Sequence, residues 1–302
     1  MQKHGERMKF FLSAIALATA TLTGCAYYPT PPDYNPKHSR AYNIVYAGGM
    51  ATAIDDTTRP ADMTGSMMED SAFVLGHAIS PAFGMSNLQG GLLGLFGALV
   101  EPPKHGERNT LMAWLPVEAE TQLSPKQARE KLINQIVESL KSTYSELGAS
   151  FDSESMSIMD YGDYAGVVAF ISNNDWGCPE WDENWDKSKG KQYYYMCRIN
   201  MRLYTPYLSS APSPAYGLGI QGPAYKFSAG SGYDYSYITF KNGEGKNSLQ
   251  PQIKLYEKLS QKLPAGIVLY QAPGEVLSDK GEKTKIPYLL DRGKTEFFVY
   301  PD

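Results

Sequence analysis

Residues 175–186 carry the side chains of this chain that are best suited to chemistry. The segment reads Asp-Trp-Gly-Cys-Pro-Glu-Trp-Asp-Glu-Asn-Trp-Asp and holds three of the four tryptophans of the chain. Trp176, Trp181 and Trp185 offer flat aromatic faces that can stack on sugar rings or clamp a peptide. The segment is therefore a candidate binding surface for a macromolecule. The simpler interpretation is that the tryptophans cover a sheet edge while the acids keep the loop soluble.

The carboxylates of the same loop suggest two other chemistries. Asp182, Asn184 and Asp186 alternate as in a calcium loop, but the glycine and distal glutamate of an EF-hand are missing, so we predict no metal site. Two carboxylates about 5–10 Å apart suffice for glycoside cleavage, so a periplasmic hydrolase that uses a pair from 175–186 is an alternative. A cleft that holds two acids would favour the enzyme, and a solvated loop would favour binding. Asp182 and Asp186 are therefore included in the candidate binding surface.

Tyrosines form a second group of candidate contact residues. The chain has 22 of them, and five lie among glycines between 216 and 237, where we expect exposed side chains. They would extend the tryptophan surface if the two segments meet in the fold, and Tyr225 and Tyr233 are the two that we include in it. The five are Tyr216, Tyr225, Tyr233, Tyr235 and Tyr237.

The remaining chemical signals are weak. His38, His77 and His105 are scattered, without a cysteine or carboxylate at ligand or triad spacing. Residues 217–222 resemble a dinucleotide glycine pattern only loosely, because the third glycine comes one place early and neither a clear strand nor a helix flanks it. We predict no catalytic residue and no cofactor.

The N-terminus has the layout of an export signal. Lys3, Arg7 and Lys9 precede an uncharged apolar run over 10–22 that is too short to span a bilayer. The run ends in Leu-Thr-Gly-Cys25, which resembles the lipobox of bacterial lipoproteins. The resemblance implies cleavage after residue 24 and a lipidated, palmitate-bearing Cys25. The alternative is an ordinary secretory signal followed by an unrelated cysteine.

The lipoprotein resemblance has two further implications. Residue 26 is Ala rather than the Asp that favours inner-membrane retention, which implies an outer-membrane protein facing the periplasm. If Cys25 carries lipid, then Cys178 and Cys197 remain as a pair, and in an exported protein such a pair is expected to form a disulfide. The competing possibility is two unpaired buried thiols.

Composition limits the partners of the exported chain. The 302 residues carry a formal net charge of −4 and no basic cluster, which argues against nucleic acid as a partner. Four prolines within 25–42 predict an extended tether behind the anchor. We expect irregular structure and short helices over 43–109. Within that region the glycine-rich apolar segment 88–100 is either buried or touches a membrane or partner.

Residues 110–302 have the regular pattern of one periplasmic domain. We predict helices over 125–147 and 248–263 from apolar stripes at three- and four-residue intervals. Strands are predicted at 111–117, 165–172, 191–204, 235–240, 266–270 and 296–300, and a long loop at 206–236. This order predicts an α+β fold in which two helices pack on a largely antiparallel sheet, as a βαββαβ-like sandwich.

These features together predict a lipid-anchored envelope protein that acts by interaction. Its partners would be membrane lipid through Cys25 and an envelope protein or glycan, so it would be an accessory component of an envelope complex or a binder of a wall or surface polymer. The alternatives are the hydrolase described above and a subunit that inserts 88–100 into a membrane.

Overall fold

The computed structural model describes residues 29–50, 108–118, 122–182, 184, 192–230, 235–243, 251–272 and 287–301. These residues form three α-helices and ten strands. The helices are α1 (Arg40–Ala47), α2 (Pro125–Glu146) and α3 (Gln252–Lys262). The strands are β1 (Thr110–Pro116), β2 (Ser150–Asp160), β3 (Tyr164–Ser172), β4 (Cys197–Tyr204), β5 (Tyr207–Ser210), β6 (Pro223–Phe227), β7 (Tyr237–Lys241), β8 (Ile267–Gln271), β9 (Tyr288–Asp291) and β10 (Lys294–Phe297).

The strands build two antiparallel sheets. One has six strands in the order β10-β9-β8-β1-β6-β5, and the other has four in the order β2-β3-β4-β7. The predicted α+β class is therefore confirmed. The prediction of two helices on a single sheet is wrong in detail, because the described residues contain a third helix and divide their strands between two sheets.

Helix α2 forms where local chemistry predicts it. The Ser124 side chain accepts a hydrogen bond from the Gln127 amide while the Gln127 side chain accepts from the Ser124 amide, and Pro125 occupies the first turn. Gly148 follows the helix with a φ of 71°, a left-handed conformation that glycine adopts without strain. The apolar stripe of α2 is buried against the sheets and includes Leu132 and Ile136.

The core has two parts. The larger part lies between helices α2 and α3 and one face of both sheets, and it includes Ile133, Ile199 and Leu259. The smaller part lies on the opposite face of the six-stranded sheet, beneath α1 and the loop 211–222, and it includes Ile44 and Trp114. The six-stranded sheet is therefore covered on both faces.

Residues 29–42, the described part of the tether predicted over 25–42, are bound to the domain and do not form a free tether. The Pro29 carbonyl accepts hydrogen bonds from the Ser210 amide at 3.0 Å and from the Ser209 hydroxyl at 2.7 Å. Farther along, the Pro32 carbonyl accepts from the Tyr216 hydroxyl at 2.7 Å. The prolines do exclude a helix before residue 40, but the extended chain that they favour lies on the domain surface instead of in solvent.

The prediction of a loop over 206–236 is also wrong, since this range contains β5 and β6. The prolines and glycines of the range favoured a loop in the sequence, yet Pro223 occupies the first position of β6, where the lack of a backbone N–H group is tolerated. Strand β6 lies between β1 and β5, and four of its five residues are buried. Strand β2 was missed because it is polar, as suits a strand at the edge of its sheet.

The strand predicted over 191–204 is shorter than expected, since β4 begins at Cys197. It pairs antiparallel with β3, with Ile171 opposite Cys197. Residues 192–194 form a single 3₁₀ turn, so the tyrosines before β4 do not extend the sheet face. Cys197, Ile199, Met201 and Leu203 share the buried face that their two-residue spacing predicts.

Candidate functional site

The outer face of the four-stranded sheet is the candidate functional site. Along β3, Ala165, Val167, Ala169 and Ile171 are buried on the inner face, and the residues between them are only half-buried. Helices α2 and α3 pack on that inner face, and α1 packs on the other sheet. The outer face of β3 and β4 is therefore uncovered by the helices of the described residues.

A groove of about 350 Å³ lies on this outer face. Its described lining is aromatic and polar, and none of the described residues that line it is acidic. The side chains that project from the outer face into the lining are Met159, Tyr161, Tyr164, Val168, Asn200, Arg202, Tyr235, Tyr237, Thr239 and Lys241. We call this feature the tyrosine groove.

Arg202 lies at the centre of the tyrosine groove. Its guanidinium carbon is 4.6 Å from the centroid of the Tyr164 ring and 5.5 Å from that of Tyr237. Such stacking of a cation on aromatic faces is favourable and holds the side chain in place. No carboxylate among the described residues lies within ion-pair distance of Arg202.

Paired aromatic rings flank the arginine on both sides. The Tyr161 and Tyr164 rings stack with centroids 4.7 Å apart, and the Tyr235 and Tyr237 rings are tilted with centroids 5.2 Å apart. Burial raises the pKa of the Tyr237 hydroxyl and the charge of Arg202 opposes that rise. Near neutral pH the hydroxyl is therefore protonated, and it can both donate and accept a hydrogen bond.

Gly166 keeps the floor of the groove open. It faces Arg202 in the β3–β4 register, and a Cβ atom built on it would lie 3.6 Å from the Tyr161 ring, in ordinary contact. The absence of a side chain at this position therefore leaves space between Tyr161 and Arg202.

The predicted tryptophan surface is only partly brought to this face. Trp181 is 49% exposed, and its ring centroid lies 5.7 Å from that of Phe170, an outer-face residue of β3. Trp176 is half-buried and packs toward the core, with its ring 6.2 Å from Tyr144. Of the two described tryptophans of the predicted surface, Trp181 thus lies against the outer face of β3 and Trp176 does not. Trp185, Asp186 and Tyr233 lie outside the described residues, as does Cys25.

The acids of the loop do not form a cleft among the described residues. Asp175, Glu180 and Asp182 are all exposed, and none of them lines the tyrosine groove. The Asp182 carboxylate accepts a hydrogen bond at 2.8 Å from the backbone amide of Asn184, which is a local turn contact. This arrangement favours a binding module over the hydrolase alternative.

The expectation of exposed tyrosines is wrong for Tyr225 and Tyr216, each of which is 1% exposed. Tyr225 lies within β6, between β1 and β5, and its hydroxyl donates to the Leu123 carbonyl, so its burial comes from pairing between distant segments. Tyr235 and Tyr237, in contrast, are half-buried and line the groove.

A disulfide ties the tryptophan loop to the sheet. Cys178 and Cys197 are bonded, and both are fully buried. The start of the loop is closed by reciprocal backbone hydrogen bonds of 2.9 Å between Asn173 and Cys178. Since Cys197 begins β4, the loop is fixed beside the strand that carries Arg202.

Sequence reasoning missed Arg202, Tyr161 and Tyr164. A signal was present, because polar residues alternate with the buried ones along β4: Arg198, Asn200, Arg202 and Tyr204. The alternation marks an outward face, but it does not say whether another element covers that face.

The described residues contain no helix that is long and apolar enough to cross a bilayer, and no group of three or more His, Cys, Asp or Glu side chains that could hold a metal. No protein-family model, curated protein or solved structure matches the chain. The function of the tyrosine groove is therefore inferred from its own side chains.

Proposed function

We propose that the chain is a lipid-anchored envelope protein whose domain binds a wall or surface polymer in the tyrosine groove. The observation that carries the proposal is the position of Arg202 between the rings of Tyr164 and Tyr237, on a sheet face that no helix of the described residues covers. Rigid aromatic surfaces with a few polar groups among them are typical of binding sites, because they give contact area at little cost in side-chain entropy.

The lining of the groove favours binding over cleavage. Glycoside hydrolysis requires a general acid and a second carboxylate on opposite sides of the bond. None of the described groove-lining residues is acidic, and the described acids of the tryptophan loop face solvent. The described part of the groove therefore has groups that can hold a polymer and lacks the carboxylate pair that cleavage would need.

The proposed anchor places the domain near the membrane. Lipidation at Cys25 would leave residues 26–28 between the lipidated residue and Pro29, which is hydrogen-bonded to the domain. The four residue steps from Cys25 to Pro29 reach at most about 14 Å when fully extended. Pro29 would therefore lie close to the membrane surface, as suits a domain that binds a polymer of the envelope.

The test is co-sedimentation of the full mature protein, in detergent, with insoluble envelope polymer fractions. Tyr161→Ala removes a ring that is 55% exposed and lines the groove, and Tyr46→Ala removes one that is 45% exposed on α1. We expect the parent and Tyr46→Ala to bind equally, and Tyr161→Ala to bind about tenfold more weakly.

Two results would contradict the proposal. One is that the parent sediments with no polymer fraction, and the other is that Tyr161→Ala binds as well as the parent. Specific cross-linking to one envelope protein, together with failure to bind polymer, would favour the accessory role in an envelope complex instead.

A further inference from the structure

We propose that the polymer bound in the tyrosine groove is a chain of carboxylated sugars, with one carboxylate bound by Arg202. This inference rests on the proposed function and names its ligand class. It follows from the chemistry of Arg202, the charge of the lining and the order of the rings.

Arg202 is held in a way that leaves donors available. Tyr164 and Tyr237 contact the guanidinium through their ring faces, and the five N–H donors of a guanidinium lie in its plane. The hydroxyl of Tyr204 takes one hydrogen bond from the group. The remaining in-plane donors match the two oxygens of a carboxylate, which arginine binds in a bidentate fashion.

The charge of the lining favours an anionic ligand. Among the described residues of the lining, Arg202 and Lys241 are the charged ones, and both are basic. Arg202 lacks a carboxylate partner among the described residues, although the domain satisfies other arginines of its described part with acids: Arg129 pairs with Asp160 at 2.8 Å, and Arg40 pairs with Glu296 at 2.9 Å. A ligand carboxylate would supply what Arg202 lacks.

The arrangement of the tyrosine rings around Arg202 favours a sugar polymer over a peptide as the ligand. Tyr164 on β3 and Tyr237 on β7 stand on either side of β4, which carries Arg202. Arg202 occupies the ring faces of Tyr164 and Tyr237 that it contacts. Tyr161 stacks on Tyr164, so the ring of Tyr161, which is 55% exposed, is the one that can stack on a ligand. A polymer that alternates flat C–H ring faces with carboxylates can place a sugar ring on Tyr161 and a carboxylate at the guanidinium. An acidic peptide offers the carboxylates without the flat faces.

The experiment measures affinity of the full mature protein, in detergent, for defined oligomers by calorimetry. The probes are galacturonate, glucuronate and mannuronate oligomers, the same oligomers after reduction of their carboxyl groups, and a poly-glutamate peptide of similar charge. We expect at least one uronate oligomer to bind at least tenfold more tightly than its reduced form and than the peptide.

Variants separate the role of the paired N–H donors of the guanidinium from that of positive charge in general. Arg202→Gln is expected to lose at least tenfold in affinity for the uronate. Arg202→Lys is expected to recover only part of that affinity, because lysine has the charge but lacks the planar, paired donors. Lys37→Gln removes one positive charge from an exposed position outside the groove and is expected to change affinity by less than twofold. Circular dichroism and the melting temperature of each variant should match the parent, since Arg202 lies outside the core.

Three results would overturn the inference. These are binding of none of the uronate oligomers, equal binding of reduced and acidic forms, and peptide binding as tight as that of the uronates. If any of them occurs while Tyr161→Ala still weakens sedimentation with envelope polymer, the proposed function stands and only the ligand class is wrong.

Discussion

Gly166 and Arg202 face each other across β3 and β4 on the open side of the four-stranded sheet. Gly166 has no positive φ, and among the described residues a Cβ atom there meets the Tyr161 ring at 3.6 Å and the Met159 methyl at 3.9 Å. The glycine is therefore not required by backbone conformation. Its effect is to leave the groove floor empty beside the arginine.

A side chain introduced at Gly166 should weaken polymer binding without lowering the stability of the domain. We expect Gly166→Val to weaken polymer binding at least tenfold, since its methyl groups occupy the groove, and Gly166→Ala to weaken it less than threefold. The melting temperature should stay equal or rise, because glycine inside a strand is unfavourable. Co-sedimentation and thermal melts measure the two quantities, and full binding by Gly166→Val would exclude the groove as the site.

Arg40 should control how firmly the N-terminal segment is attached. It donates to Glu296 and to the Tyr216 carbonyl, each at 2.9 Å, and pairs with the carboxylate of Asp291, which is 1% exposed. Arg40→Ala leaves that buried acid with Arg292 alone, so we expect a loss of about 3 kcal/mol in the free energy of unfolding.

Denaturant unfolding measures the loss for Arg40→Ala, and limited proteolysis should show faster cleavage between residues 29 and 50. The exposed Lys294→Ala serves as the matched control and should leave both unchanged. Unaltered proteolysis of Arg40→Ala would mean that the helix packing of α1 alone holds the segment.

The disulfide should contribute to stability and to the position of the tryptophan loop. Non-reducing peptide mapping is expected to recover Cys178 linked to Cys197. The double variant Cys178→Ala with Cys197→Ala should lose about 3 kcal/mol of unfolding free energy, as estimated for a loop of this length. Two free thiols in the mapped native protein would remove the basis of this prediction.

Cys25 should determine membrane attachment. Cys25→Ser is expected to move the protein from the membrane fraction to the soluble fraction, since the substitution removes the thiol that would carry the proposed lipid anchor. Fractionation with metabolic palmitate labelling measures this. A Cys25→Ser protein that stays in the membrane without lipid would contradict the lipoprotein proposal and direct attention to residues 88–100.

Features that depend on neighbouring residues were predictable from sequence. Ser124, Pro125 and Gln127 specify the start of α2 through contacts within one turn. The burial of Ile199 and Met201 follows from the two-residue alternation of β4. Neither prediction depends on which distant segments of the chain pack together in the fold.

The tyrosine groove was not predictable in this way, because it depends on contacts between distant segments. Arg202 alternates with buried residues like any outward-facing side chain, and its side of the sheet is free of described helices because α2 and α3 pack on the inner face. Tyr225 lies in a glycine- and proline-rich stretch, yet pairing of β6 with β1 and β5 buries it. Local composition therefore cannot show whether the packing of distant segments will bury such a side chain or leave it on an outer face.

Footprinting of tyrosines in the polymer-bound protein tests the central claim most directly. Hydroxyl-radical labelling read by mass spectrometry reports exposure at Tyr161 in the groove and at Tyr46, Tyr207 and Tyr300, which are exposed elsewhere. We predict that bound polymer protects Tyr161 and leaves the other three labelled as before. Protection of Tyr46 or Tyr300 with unchanged labelling of Tyr161 would contradict the assignment of binding to this sheet face.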